Sequence, residues 1–154
     1  MKSSHKPPRR AVLLDANVLS RLARVHKTEV LLKVFPGGCY LAPAIYHEVE
    51  AGVEASVRYL EEVVALVRRG ALRILDTEEA DREHIASLPR KLGPGEAEGI
   101  TLCRRLGMVF VTHDRQAANF CDRAGVKCLH FRTLVDALQK RGLLTPRQAQ
   151  KALE

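Results

Sequence analysis

The sequence predicts an α/β domain, with a largely parallel central sheet and helices on both faces. Three observations carry this. Five short apolar runs lack polar alternation, the pattern of strands buried on both faces. Stretches with apolar residues at helical spacing separate them. The 154 residues suit one domain without internal repeat or linker, and 46% hydrophobic residues suffice for a sizeable core.

The elements follow in order. MKSSHKPPRR is basic and leads into no long apolar stretch, so residues 1–10 read as a flexible arm and 11–154 as the domain. AVLLD (Ala11–Asp15) is the first strand, and a helix begins just after Asp15, with Val18, Leu22 and Val25 on its apolar face. Thr28–Phe35 is a second helical piece, capped by Thr28 and stopped by Pro36-Gly37-Gly38. CYLA (Cys39–Ala42) is a strand, and Pro43 opens the next helix, where its missing N–H costs nothing. That helix runs to about Gly52. Val53–Arg69 is a further helix, with Val57, Leu60, Val64 and Val67 on one face and Gly70 closing it. Leu72–Leu75 is a strand, and Thr77 caps a short helix ending near Pro89. A helix from Gly95, the strand Met108–Thr112, a helix from about Arg115 to Ala124 and the strand Val126–Phe131 come next. Two helices finish the chain, the second capped by Thr145-Pro146.

Composition narrows the partners. A net charge of +7 favours a polyanion such as nucleic acid. Aromatic residues at 5%, with no Trp, argue against base stacking as the main binding device. No apolar run approaches a membrane span. Cys39, Cys103, Cys121 and Cys128 form no C-x-x-C pair and read as reduced, buried thiols of a cytoplasmic protein. A zinc site would need Cys121, Cys128, His130 and a further ligand, on a spacing that matches no usual zinc pattern.

In parallel α/β sheets the functional crevice lies at the carboxyl ends of the strands. Asp15 directly follows the first strand, and Asp114 follows Met108–Thr112 by one residue. Glu96 opens the helix antiparallel to that strand and so returns to the same edge; Glu48 lies in the helix leaving the strand Cys39–Ala42. Each acid has an ordinary use. Asp15 and Asp114 are N-cap residues, Glu96 a first-turn acid, and Glu48 part of a solvated face with Glu50 and Glu54. Together they converge on one edge, which carboxylates tolerate when a divalent cation neutralises them. All-oxygen ligands suit Mg²⁺ or Mn²⁺, and a basic protein with an acidic metal crevice suggests attack on a phosphodiester.

LLDANVLS around Asp15, YHEVEAG around Glu48, GEAEGITLC around Glu96 and VFVTHD around Asp114 resemble, in order, the four acidic motifs of PIN-domain ribonucleases. Glu48 precedes Gly52 in the family's Glu-x-x-x-Gly pattern. The resemblance spans about Ala11 to Leu138. It implies a three-layer α/β/α sandwich with a five-stranded parallel sheet in the order 3-2-1-4-5, and Mg²⁺- or Mn²⁺-dependent cleavage of RNA. It implies Asp15, Glu48, Glu96 and Asp114 as metal-binding and catalytic acids, with Asn17 and Thr112 supporting them. Many small members are VapC-like toxins, so a cognate antitoxin and a homodimer are implied partners. The third acid is more often Asp; Glu96 matches a GEAE-bearing branch, with Glu98 as rival. A further acid common in the family is replaced by Gln116 and Ala117. His47, His113 and Arg115 flank the acids, with His113 and Arg115 the candidates for substrate binding.

Two other functions fit parts of the pattern. A HAD-like phosphatase would use the Asp of LLDANV as nucleophile, but the acid it needs two residues on is Asn17. A degenerate PIN-like domain would bind RNA or protein without turnover.

Overall fold

The computed structural model describes residues 11–154; the basic arm expected at 1–10 lies outside them. Five strands form one sheet: β1 (Val12–Leu14), β2 (Cys39–Leu41), β3 (Leu72–Ile74), β4 (Val109–Thr112) and β5 (Cys128–His130). All pairings are parallel, in the order β3-β2-β1-β4-β5. The α/β/α sandwich and the strand order implied by the motifs are therefore those observed. Nine α-helices connect and cover the strands among the described residues. Parallel neighbours need such crossovers, because a tight turn cannot return the chain to the same end of the sheet.

The apolar runs are buried as their pattern requires. Leu13, Leu14, Phe110 and Val111 in the central strands have no solvent exposure. The edges are short: β3 leaves Arg73 and Ile74 exposed, and β5 is half-buried throughout. The side on which strands are added reverses at β1: β2 and β3 are laid down on one side of it, and β4 and β5 on the other. That reversal opens a crevice at the carboxyl ends of β1 and β4.

Helix α1 (Ala16–Arg24) leaves β1 and α3 (Pro43–Glu54) leaves β2, with Pro43 at its start as expected. Helix α6 (Pro94–Leu106) leads into β4, and α7 (Arg115–Ala124) leaves it. Gly99 lets α6 sit directly on the sheet, since a Cβ there would lie 2.7 Å from the Phe110 ring.

Five local expectations need correction. The helix read over Val53–Arg69 is broken: α3 runs on to Glu54, a 3₁₀ turn covers Arg58–Leu60, and α4 begins at Glu61 (Glu61–Arg68). Ser56 takes a left-handed φ of 71°, which ends α3. Gly52 does not stop that helix. It makes room for Leu60, whose Cδ1 would lie 2.3 Å from a Cβ at that position. Thr28 does not cap the second helix, α2 (Val30–Val34); its hydroxyl donates to the Glu62 carboxylate. Glu78, not Thr77, precedes α5 (Glu79–Ala86), and its N–H is held by Asp81 at 2.8 Å. The last strand is shorter than Val126–Phe131, because His130 caps α8 (Phe131–Lys140) and Phe131 is already helical. Helix α9 (Pro146–Leu153) begins at the expected Thr145 cap, whose hydroxyl accepts from Gln148 N at 3.1 Å.

Candidate active site

Asp15 sits where β1 ends, its own N–H still bonded to the Val111 carbonyl of β4 at 3.0 Å. It is the N-cap of α1, and Oδ1 accepts from Ala16 N at 2.8 Å. Oδ2 accepts from the Thr112 hydroxyl at 2.8 Å, and the same hydroxyl oxygen accepts from Asp114 N at 3.1 Å. Thr112, fully buried at the end of β4, thus ties the first acid to the fourth. Asp114 in turn caps α7, with Oδ1 accepting from Ala117 N at 3.0 Å.

Glu96 stands in the first turn of α6, and its Oε1 accepts from Gly93 N at 3.0 Å. Glu48 projects from α3 and lies against the backbone of Gly95. Only glycine permits that approach, because a Cβ on residue 95 would lie 2.6 Å from Glu48 Oε1. All four acids line one cavity of about 490 Å³, together with Asn17, Ser20 and His113. The ordinary uses and the convergence therefore hold at once: the caps are what aim the carboxylates. Sequence reasoning missed Ser20 and Gly95. Ser20 lies three residues after Asn17 on α1, a helical spacing that puts both on one face.

Other candidates fall outside the cavity. Glu98 turns away and accepts from Ala44 N at 2.6 Å, at the start of α3. Arg115 and His47 are exposed and do not line it. Asn17 lines it and also accepts from Arg21 Nε at 2.6 Å. At the imagined zinc site, His130 Nδ1 is occupied by Arg132 N, and all four cysteines are free thiols.

The acids raise one another's cost of ionisation. Burial pushes Asp15 up to about 6 despite the Thr112 and Ala16 hydrogen bonds, and the charges of Glu48 and Asp114 add to the rise. Burial pushes Glu96 up to about 7; the Gly93 N–H opposes this, while Asp15 and the Asp114 carboxyl within hydrogen-bonding reach reinforce it. Glu48 is raised as well, chiefly by burial. The donor set is all oxygen and fits a hard divalent cation. The carboxylates are spent on backbone N–H groups rather than drawn into a ready ligand shell: among the described residues no group of three or more His, Cys, Asp or Glu is placed to hold a metal ion.

Several solved structures share the fold. VapBC2 from Rickettsia felis, bound to a DNA fragment from its promoter, matches with a TM-score of 0.58 at 15% identity, covering 78% of this chain and 98% of that one. VapBC-1 from nontypeable Haemophilus influenzae matches at 0.57 and 17%, covering 79% and 98%. A domain of a functionally unknown protein from Methanocaldococcus jannaschii matches at 0.51 and 16%, covering 79% and 90%. At such identities the likeness is one of fold. No curated protein matches the sequence. A family model described as DUF3368, PIN domain, matches residues 11–154, which takes in all five strands and all four acids. On that match, and with the sheet order that its fold requires, the chain belongs to the PIN-domain family.

Proposed function

We propose that the chain is a Mg²⁺- or Mn²⁺-dependent ribonuclease. The observation that carries this reading is the convergence of Asp15, Glu48, Glu96 and Asp114, from four separate segments, on one cavity without a cationic side chain among its acids. Asp15, Glu96 and Asp114 would hold the ion, directly or through water, with Glu48 completing the site. A bound divalent cation neutralises the carboxylates and lowers the pKa of an attacking water. Thr112 fixes Asp15 and orients the backbone at Asp114. Asn17 holds Arg21, and its amide cannot protonate a leaving group, which speaks against the phosphatase alternative. His113, lining the cavity, is placed to meet substrate.

The VapBC likenesses favour a toxin-type ribonuclease with a protein antitoxin, and the proposal extends to a homodimer working in the cytoplasm. A second reading, RNA or protein binding without turnover, draws on the engagement of Asp15, Glu96 and Asp114 in capping. One experiment separates them. Purified protein is incubated with RNA in EDTA and then in excess Mn²⁺. Cleavage that starts with Mn²⁺ and is lost in Asp15→Asn supports the nuclease; tight binding with no cleavage in any metal supports the second reading.

A further inference from the structure

A cavity ringed by carboxylates repels the phosphate it would have to admit, so the approach to it needs fixed cations. Arg21 and Arg132 carry charge close to one of its lining residues, His113, beside a second imidazole, His130. His113 lines the cavity, and its ring centroid lies 5.3 Å from that of His130, at the end of the neighbouring strand β5. The buried Nδ1 of His113 has no hydrogen-bond partner. His130 is locked by its Nδ1, which accepts from Arg132 N at 3.2 Å, so the Arg132 side chain starts beside the imidazole pair. Arg21 comes from α1. Its Nε donates to Asn17 Oδ1 at 2.6 Å, and its Nη1 donates to the carbonyls of Ala152 at 2.9 Å and Glu154 at 2.8 Å, at the end of α9. These acceptors pre-orient the guanidinium beside Asn17, which lines the cavity, so less ordering is needed on binding. Burial, and then the charges of Arg21, His130 and Arg132, lower the pKa of His113, so its ring serves as a neutral hydrogen-bonding group and the charge rests on the two arginines.

We propose that Arg21, His113, His130 and Arg132 form a phosphate-binding lip on the β4–β5 side of the cavity, which takes the backbone phosphate next to the scissile bond of single-stranded RNA. This rests on the ribonuclease reading above and assigns it a direction. The strand enters over the starts of α7 and α8 and delivers its next phosphate to the acids. Arg132 is exposed and makes no structural bond through its side chain among the described residues, so it supplies charge alone.

The test uses a short fluorescein-labelled single-stranded RNA. Binding is followed by anisotropy over a salt series in EDTA, and cleavage is followed in Mn²⁺. The variants are Arg132→Gln, His130→Asn, which keeps a cap acceptor, and Arg21→Lys, which keeps charge but loses the fork. Arg69→Gln is the control, since Arg69 lies outside this cavity and pairs with Glu29 at 3.1 Å. Arg132→Gln lowers the salt slope by about 0.7, the share of one single-strand phosphate. It raises KM about fivefold with little change in kcat, the mark of lost uniform binding. Arg69→Gln changes neither. If the parent cleaves RNA and all three lip variants keep its salt slope and KM, the lip is overturned while the nuclease stands. If the parent neither binds nor cleaves RNA, the nuclease reading fails and takes the lip with it.

Discussion

Asp15 and Asp81 are both buried carboxylates, 6% and 2% exposed, and the chain treats them in opposite ways. Asp81, at the α5–α6 contact, receives a bidentate guanidinium from Arg105 at 2.8 and 2.9 Å and the Glu78 N–H at 2.8 Å. Its pKa lies below the ordinary value: burial works against the charge, and the Arg105 and Glu78 bonds overcome it. Asp15 receives two hydrogen bonds but no cation, and other carboxylates stand nearby. Its pKa is raised to about 6. The same sequence that neutralises one buried acid leaves the other unneutralised, at the one edge where four acids meet. A neutral residue would cap α1 as well, so stability gives no reason for the arrangement. The proposed binding of a cation would supply one.

The comparison can be broken at either end. The largest effect is on activity. Asp15→Asn should lower RNA cleavage by about 10²-fold or more, equivalent to about 2.7 kcal/mol of barrier. Glu98→Gln, which touches only the start of α3, should leave cleavage near parental. Equal losses in the two variants, measured under single-turnover conditions, would remove the distinction between site and scaffold.

At the other end, Arg105→Gln leaves the Asp81 carboxylate buried without its guanidinium. It should cost about 2.5 kcal/mol in urea unfolding at neutral pH, a discount from a fully buried pair because Arg105 is partly exposed. An unchanged midpoint would mean that this ion pair does not differ from an ordinary surface one.

Asp15→Asn should move stability the other way. The native pKa lies above the unfolded one, so the native state holds the proton more tightly, and the protein loses stability as pH rises from about 4 to about 6. The penalty is absent below this window and complete above it. Without metal at neutral pH, the Asn variant should therefore be more stable than the parent by about 3 kcal/mol, and the two should converge below the window. Asn keeps the geometry, since its oxygen can accept from Ala16 N while its amide meets the Thr112 oxygen. A variant less stable than the parent at neutral pH would show that Asp15 serves the fold.

A smaller effect belongs to Gly95→Ala. The new methyl would displace Glu48 and press on Ile45, whose Cγ1 would lie 3.0 Å away. It should cost about 1 kcal/mol of stability and reduce cleavage, while Gly107→Ala costs stability only, through its φ of 69°.

The strands and the acids were legible because both follow from one-dimensional rules. Apolar runs such as VLL and VFV can be buried only in a sheet covered on both faces, and a carboxylate following such a run lies at its carboxyl end. The break at Ser56 was not legible. Val57 and Leu60 keep helical spacing with Val64, but the left-handed backbone of Ser56 ends α3 and Leu60 then packs back on Gly52, neither of which periodicity carries. Phe131 continued an apolar run, but a His130 cap overrode it. At the site, Glu96 and Glu98 were rivals on paper; their partners, Gly93 and Ala44, lie on different segments and separate them in space. Gly95 carried no signal of its own, since its reason is a side chain on another helix.

The central claim is that the cluster around Asp15 is kept unneutralised for a divalent cation. Thermal unfolding of the parent and of Asp15→Asn, with EDTA and then with millimolar Mn²⁺ at neutral pH, tests it without reference to any substrate. A ligand at about 100 times its Kd adds about 2.7 kcal/mol to the native state, which for a chain of this size raises the midpoint by about 5 to 10 °C. The account predicts that rise in the parent and little or none in Asp15→Asn, so that Mn²⁺ cancels the variant's advantage. A midpoint that Mn²⁺ leaves unmoved in the parent, or moves equally in both proteins, would contradict it.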